Sequence, residues 1–147
     1  MKFECFVFDE INSNHKKTIN KVVNEIFETK SFLSLLKERK LKDVSFSIIL
    51  EDNLVAKKAN VYWRSKNTIP DILSFPFMES EGSKTILGDL MITPKKLEKD
   101  YPMISGGYRK LIIHGLLHLL GFDHIKDSEF KKMNLAESNI LQELNNY

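Results

Sequence analysis

The chain has 147 residues, 42% hydrophobic and 29% charged; this excludes a disordered polymer and fits one globular domain over residues 1–147. With 22 Lys+Arg against 20 Asp+Glu the net charge is +2, which permits an anionic partner without arguing for one, and short basic clusters such as Lys57-Lys58 read as solvated helix faces. The single cysteine, Cys5, fits a reducing compartment; no signal-peptide pattern and no apolar run of ~18–20 residues occurs, so the expectation is a cytoplasmic protein with no membrane partner.

Phe3, Cys5 and Val7 alternate within residues 2–9 and predict a first strand. From about Ser13 the period becomes helical, with Ile19, Val22, Val23 and Ile26 on one face, continued by Phe32, Leu35 and Leu36 after a break near Thr29. Residues 44–50 are β-branched and aromatic, a second strand. Asn53 is the expected cap of a helix whose inner side carries Val55, Ala59, Tyr62 and Trp63, and Pro70 bars its continuation. Residues 72–77 and 86–92 predict two short buried strands around the turn Glu81-Gly82-Ser83, and Pro94 opens a short helix. Residues 108–120 predict a helix apolar all round, hence a core helix, stopped at Gly121. A last helix, capped by Asp127 or Ser128, presents Phe130, Met133, Ile140, Leu141 and Leu144 inward. The pattern is α+β: a small mixed sheet of about four strands, mostly consecutive, packed with about five helices.

The core helix carries chemistry. His114, His118 and His124 follow the spacing H-x-x-x-H-x-x-G-x-x-H, with Gly121 at the glycine position. Histidines four apart share a helix face, with Cβ atoms ~5–6 Å apart. That separation lets two imidazole nitrogens approach one ion at ~2.0–2.1 Å. A chain turn at Gly121 lets His124 reach the same point, and three imidazoles leave a coordination position open, as in a catalytic site. Three buried imidazoles without a common partner would instead leave unpaired nitrogens at ~1–3 kcal/mol each. His15, alone, reads as a core histidine with a satisfied hydrogen bond or as an exposed one. The metzincin peptidases place a general-base glutamate directly after the first histidine; here that residue is Gly115. Either a strand packs closely against the helix there, or the space admits a bulky substrate. Asp123 reads as a turn residue. Glu137 falls on the apolar stripe between Met133 and Ile140 and needs a partner: a lysine at the helix edge, or the metal site.

Residues 114–124, HGLLHLLGFDH, resemble the His-Gly-x-Leu-His-Leu-x-Gly-Tyr-Asp-His signature of the bacterial YbeY family, metal-dependent endoribonucleases of ribosomal RNA maturation. Residues 59–64 (ANVYWR) and 69–76 (IPDILSFP) resemble the family's Leu-Asn-x-x-Tyr-Arg and Pro-Thr-Asp-Val-Leu-Ser-Phe-Pro blocks, and residues 87–93 (LGDLMIT) its Leu-Gly-Asp-Ile-x-Ile-Ser block. The chain departs from the pattern at Pro70, where the family has threonine. It departs again between Thr93 and His114, where Pro102 and Gly106-Gly107 are expected to interrupt a helix that is continuous in the family.

The resemblance implies one zinc-type divalent ion held by His114, His118 and His124. It implies single-stranded RNA, specifically ribosomal RNA, as substrate, with small-subunit ribosomal proteins as further partners and no DNA, and a role in ribosome quality control. It makes Arg64 the catalytic arginine, which suits a planar guanidinium that can grip phosphate oxygens bidentately. The alternative for Arg64 is a helix-end residue paired to Asp71 or to a terminal carbonyl. Asp89 matches the family and is a candidate to orient a ligand imidazole. A metal can lower the pKa of water toward ~7 without a carboxylate beside it, so the missing glutamate is compatible with RNA cleavage. Two other classes stay open: a ribosome-assembly factor that binds RNA with a mainly stabilising metal, and, less favoured because of Gly115, a metallopeptidase.

Overall fold

Alternating residues make β1 (Phe3–Asp9), and the β-branched run Asp43–Leu50 makes β2; the two pair in parallel, Phe3 opposite Val44 and Asp9 opposite Leu50. A parallel pair needs a crossover, supplied by α1 (Lys16–Glu28) and α2 (Lys30–Glu38). Thr29 makes the break between them: its hydroxyl donates to the Ile26 carbonyl (2.7 Å) and accepts from the Phe32 amide (3.3 Å). These features come from a computed structural model that describes residues 2–123 and 125–145, among which four strands and six helices form a single α+β domain.

The sheet order is β1-β2-β4-β3, with β4 (Lys84–Ile92) parallel to β2 and β3 (Ile72–Glu81) antiparallel to β4. Two of the three neighbouring pairs, β1-β2 and β4-β3, are consecutive in the chain, as expected; the exception is that β4, not β3, lies beside β2. Proline cannot donate to a ladder and belongs on edge strands. Pro76 therefore suits β3 to the edge, while Leu87, Leu90 and Ile92 of β4 are fully buried. Both strands also run further than residues 72–77 and 86–92, and the outer part of β3, residues 77–81, is exposed.

Helix α3 (Asn53–Arg64) is capped by Asp52, which accepts from the Val55 amide at 2.9 Å, rather than by Asn53. Its inner side is Ala56 and Asn60; Val55, Tyr62 and Trp63 are exposed, contrary to the apolar pattern. The polar Asn60 is buried because its side-chain amide donates to the Thr68 carbonyl at 2.9 Å. Ser65 then closes the helix in the left-handed region (φ +55°).

Helix α4 (Pro94–Asp100) is followed by α5 (Ile104–Leu119), which starts a turn before residue 108. The chain breaks only at residues 101–103, and Gly106 and Gly107 lie inside α5. Gly107 is there for a close approach: a Cβ on it would lie 2.8 Å from Cγ of Tyr101. The apolar girdle of α5 is covered by β3 and β4 on one side and by α1, α4 and α6 (Asp127–Asn145) on the others. Helix α6 faces inward with Met133, Ala136, Ile140 and Leu144; Phe130 stays exposed. His15 is the satisfied core histidine of the two alternatives, with Nδ1 2.6 Å from the Tyr108 hydroxyl and Nε2 2.9 Å from Glu98. Cys5 lies in β1, at the opposite edge of the sheet from β3, and burial pushes its thiol up to about 12. No helix among the described residues is long and apolar enough to cross a membrane.

The glycine that replaces the peptidase glutamate faces the sheet. A Cβ on Gly115 would lie 2.7 Å from Cδ1 of Ile72 and 2.8 Å from Cδ2 of Leu90. Close packing explains it; space for a substrate does not. Overpacking typically costs ~1–3 kcal/mol, more than the ~1 kcal/mol of helix propensity that alanine gains over glycine. Gly115→Ala is therefore expected to lower the melting temperature, and Gly115→Glu, which buries a carboxylate at the same contact, to lower it much further. Thermal unfolding of the two variants is the measurement, and an alanine variant more stable than the parent would show that the packing is looser than these distances require.

Candidate active site

With Gly115 turned to the sheet, the 3.6-residue period turns His114 and His118 together along the flank of α5 that borders the β3 edge. Their Nε2 atoms stand 3.1 Å apart, with ring planes at 77°. Two nitrogens bound tetrahedrally to one ion at ~2.0–2.1 Å are separated by about 3.3 Å, so the pair is already spaced for a shared ligand. The outer nitrogens are engaged. His114 Nδ1 donates to Glu137 of α6 at 2.5 Å, and His118 Nδ1 donates to the Phe122 carbonyl at 3.0 Å. An acceptor at Nδ1 selects the tautomer protonated there and puts the lone pair of each ring on Nε2, the nitrogen that faces the other ring.

The partner of Glu137 is therefore the histidine site and not a lysine. Asp89 does not take the orienting role. Leu90 packs toward Gly115, and strand alternation sends Asp89 to the opposite face of the sheet, where burial raises its carboxyl above the usual range.

Gly121, at φ +96°, turns the chain back on α5: its amide donates to the His118 carbonyl and that of Phe122 to the Leu117 carbonyl, each at 3.0 Å. Arg39, the C-cap of α2, holds this loop from outside. Its Nε donates to the Leu120 carbonyl (3.1 Å), and its guanidinium lies 4.7 Å from the centroid of the Phe122 ring. Asp123 accepts from the Ile125 amide at 3.2 Å, the expected turn role. His124, the third histidine of the motif, lies outside the described residues. Among the described residues no three ligating side chains converge.

The two histidines open on a cleft of about 550 Å³, lined also by Arg64, Ser74, Pro76 and Asp123. A neighbouring cavity of about 390 Å³ shares Arg64 and His114 with it and adds Lys66, Lys110 and Glu137. Arg64 thus joins the histidines at one surface although fifty residues separate His114 from it in the chain. Asp71, the carboxylate that a structural reading of Arg64 would use, is held by Lys96 at 2.7 Å. Arg39 went unremarked in the sequence, since its contact with the Leu120 carbonyl spans 81 positions and its bond to the Leu35 carbonyl is an ordinary helix-end contact.

A family model described as Endoribonuclease YbeY matches residues 8–145. Relatives named Endoribonuclease YbeY include those of Thermodesulfovibrio yellowstonii, 36% identical over 138 residues (84% of this chain, 87% of that protein), and Sulfurihydrogenibium, 38% identical over 125 residues (78% and 82%). A third, from Buchnera aphidicola, is 34% identical over 150 aligned positions (99% and 94%). The solution structure of a Thermotoga maritima protein is similar in fold, with a TM-score of 0.59 at 21% identity over 98% of this chain and 89% of that one. The histidine motif, the arginine-bearing helix and the strand blocks all fall within the matched span, and the chain belongs to the endoribonuclease YbeY family.

Proposed function

We propose that this chain is a metal-dependent, single-strand-specific endoribonuclease that acts in the cytoplasm on ribosomal RNA, in its maturation and in ribosome quality control, with small-subunit ribosomal proteins as further partners. The observation that carries the reading is the convergence of two Nε2 atoms, 3.1 Å apart, on a cleft that also holds an exposed arginine. The names of the relatives support RNA as the substrate. One zinc-type ion would be held by His114, His118 and His124, and when bound it would supply Lewis-acid stabilisation of charge developing on phosphate. Arg64 would bind the phosphodiester oxygens through its planar fork. Glu137 would hold the His114 proton at Nδ1 and keep that ring aimed at the ion. A peptidase is disfavoured by geometry, since the position that carries the peptidase base points into the sheet.

Metal-stripped and metal-restored protein, incubated with single-stranded RNA, duplex RNA, single-stranded DNA and casein, separates the classes. Cleavage confined to single-stranded RNA and restored by metal is expected. RNA binding without cleavage would favour an assembly factor, and casein cleavage a peptidase. Elemental analysis should find about one ion per chain, mostly lost in His114→Ala and in His124→Ala; full occupancy in both would overturn the three-histidine site. Glu137→Gln should keep the fold and weaken metal affinity ~10- to 100-fold, read by competition with a chromogenic chelator; unchanged affinity would make the carboxylate structural. Arg64→Lys should impair RNA cleavage with little change in melting temperature, because a point charge does not replace a fork. A large loss of stability would place the arginine in the fold instead.

A further inference from the structure

Edge strand β3 separates two surfaces. Ile72, Ser74 and Pro76 turn toward α5 and the cleft, and alternation turns Phe75 to the other face. There Phe75 meets Trp63 edge-on, at 6.0 Å between centroids and 73°, and Tyr62 meets Trp63 at 4.8 Å and 81°. Despite these contacts Trp63 is 65% exposed and Tyr62 77%. The next residue, Arg64, lies in the cleft. The last turn of α3 therefore straddles the sheet edge, with the guanidinium on the cleft side and the indole on the other.

Exposed clustered aromatics mark an interaction surface, and the charge around this one selects the partner. Residues 53–70 carry Lys57, Lys58, Arg64 and Lys66 and no carboxylate. Arg64 and Lys66 line the cleft across the β3 edge from the rings, so a strand crossing that edge would meet cations for its backbone and exposed rings for its unpaired bases. A duplex keeps its bases stacked on one another, so an indole can take a base only from a single strand. On the ring face the cross-strand neighbour of Phe75 is Asp89, so the positive charge that would attract the strand lies on the cleft side, with Arg64 and Lys66.

We propose that Trp63 is a base-stacking subsite that positions single-stranded RNA, with a base neighbouring the phosphate at Arg64 resting on the indole while Tyr62 and Phe75 brace that ring edge-on. The proposal rests on the RNA reading of the cleft. It adds a strand path over the β3 edge and a physical origin for discrimination against duplex.

Trp63 is the only tryptophan of the chain, so its fluorescence reports the subsite directly. The metal-loaded protein is titrated with a 2′-O-methyl oligo(A) of about 12 nucleotides, with an oligomer of equal length made of abasic units, and with a duplex; gels verify that each stays intact. Saturable quenching by oligo(A), and far less by the abasic strand or the duplex, is expected. By anisotropy of labelled oligo(A), Trp63→Ala should bind about 5- to 150-fold more weakly, Trp63→Phe should retain most of the affinity, and both should melt like the parent. Binding of oligo(A) that leaves Trp63 fluorescence unchanged, or equal affinity of the Trp63→Ala variant, would overturn the subsite while leaving RNA cleavage at the histidines intact. Quenching without any cleavage of natural RNA would keep the subsite and overturn the nuclease. Absence of all RNA binding would remove both and leave the aromatic surface to a protein partner.

Discussion

The contact of Gly115 with Ile72 and Leu90 sets the position of everything else. It lets the backbone of α5 approach β3 and β4 more closely than any side chain would permit. The helix is held in rotation as well as in distance, because a side chain in place of Gly115 would not fit against Ile72 and Leu90, while Leu119, one turn on, packs against Gly88 of β4. Residues 114 and 118 are then forced to the flank, where the edge strand leaves an opening. The apolar girdle of α5 takes up contacts with α1, α4 and α6 on its remaining sides, so the pair of histidines is mounted on the most constrained element of the molecule. A ligand site built on such a helix keeps its geometry without requiring the ligand to impose it.

Around that helix, distant elements complete the site by hydrogen bonding. Helix α6 brings a carboxylate to His114, the loop after Gly121 brings a carbonyl to His118, and Arg39, the C-cap of α2, pins that loop. Each Nδ1 is engaged by an acceptor, and each Nε2 faces the cleft. The arrangement stabilises one tautomer of each ring. It therefore brings the two Nε2 atoms to one point, the arrangement that the proposed metal site would use.

The edge position of β3 gives the site its access. A strand paired on one side only, and carrying Pro76, leaves the flank of α5 uncovered beyond it. Helix α3 ends at that edge and is stopped by Ser65 in the left-handed region, so Trp63 and Arg64 fall on opposite sides of β3. Trp63 and Arg64 are consecutive in α3, so their side chains leave the helix axis about 100° apart, the angular step of a helix.

Local chemistry was legible in the sequence wherever the deciding interactions are local. The i, i+4 spacing of His114 and His118, the stop at Gly121, the break at Thr29 and the alternation in β1 each depend on neighbours within one turn or one pleat, and each appears in the structure. The three family blocks likewise lie in continuous stretches. What the sequence left undecided turns on partners brought from far along the chain. Glu137 could serve a lysine or a histidine until α6 was docked on α5, and Gly115 could mean open space or tight packing until Ile72 and Leu90 were seen against it. The inner face of α3 was misread because burial there follows the bond between Asn60 and Thr68 rather than apolar periodicity; which strand of the β3-β4 hairpin would pair with β2 was not legible, because a hairpin can insert by either of its strands. Periodicity says which residues seek cover; only the tertiary structure says what covers them, since that choice is made by the close packing of elements remote in sequence.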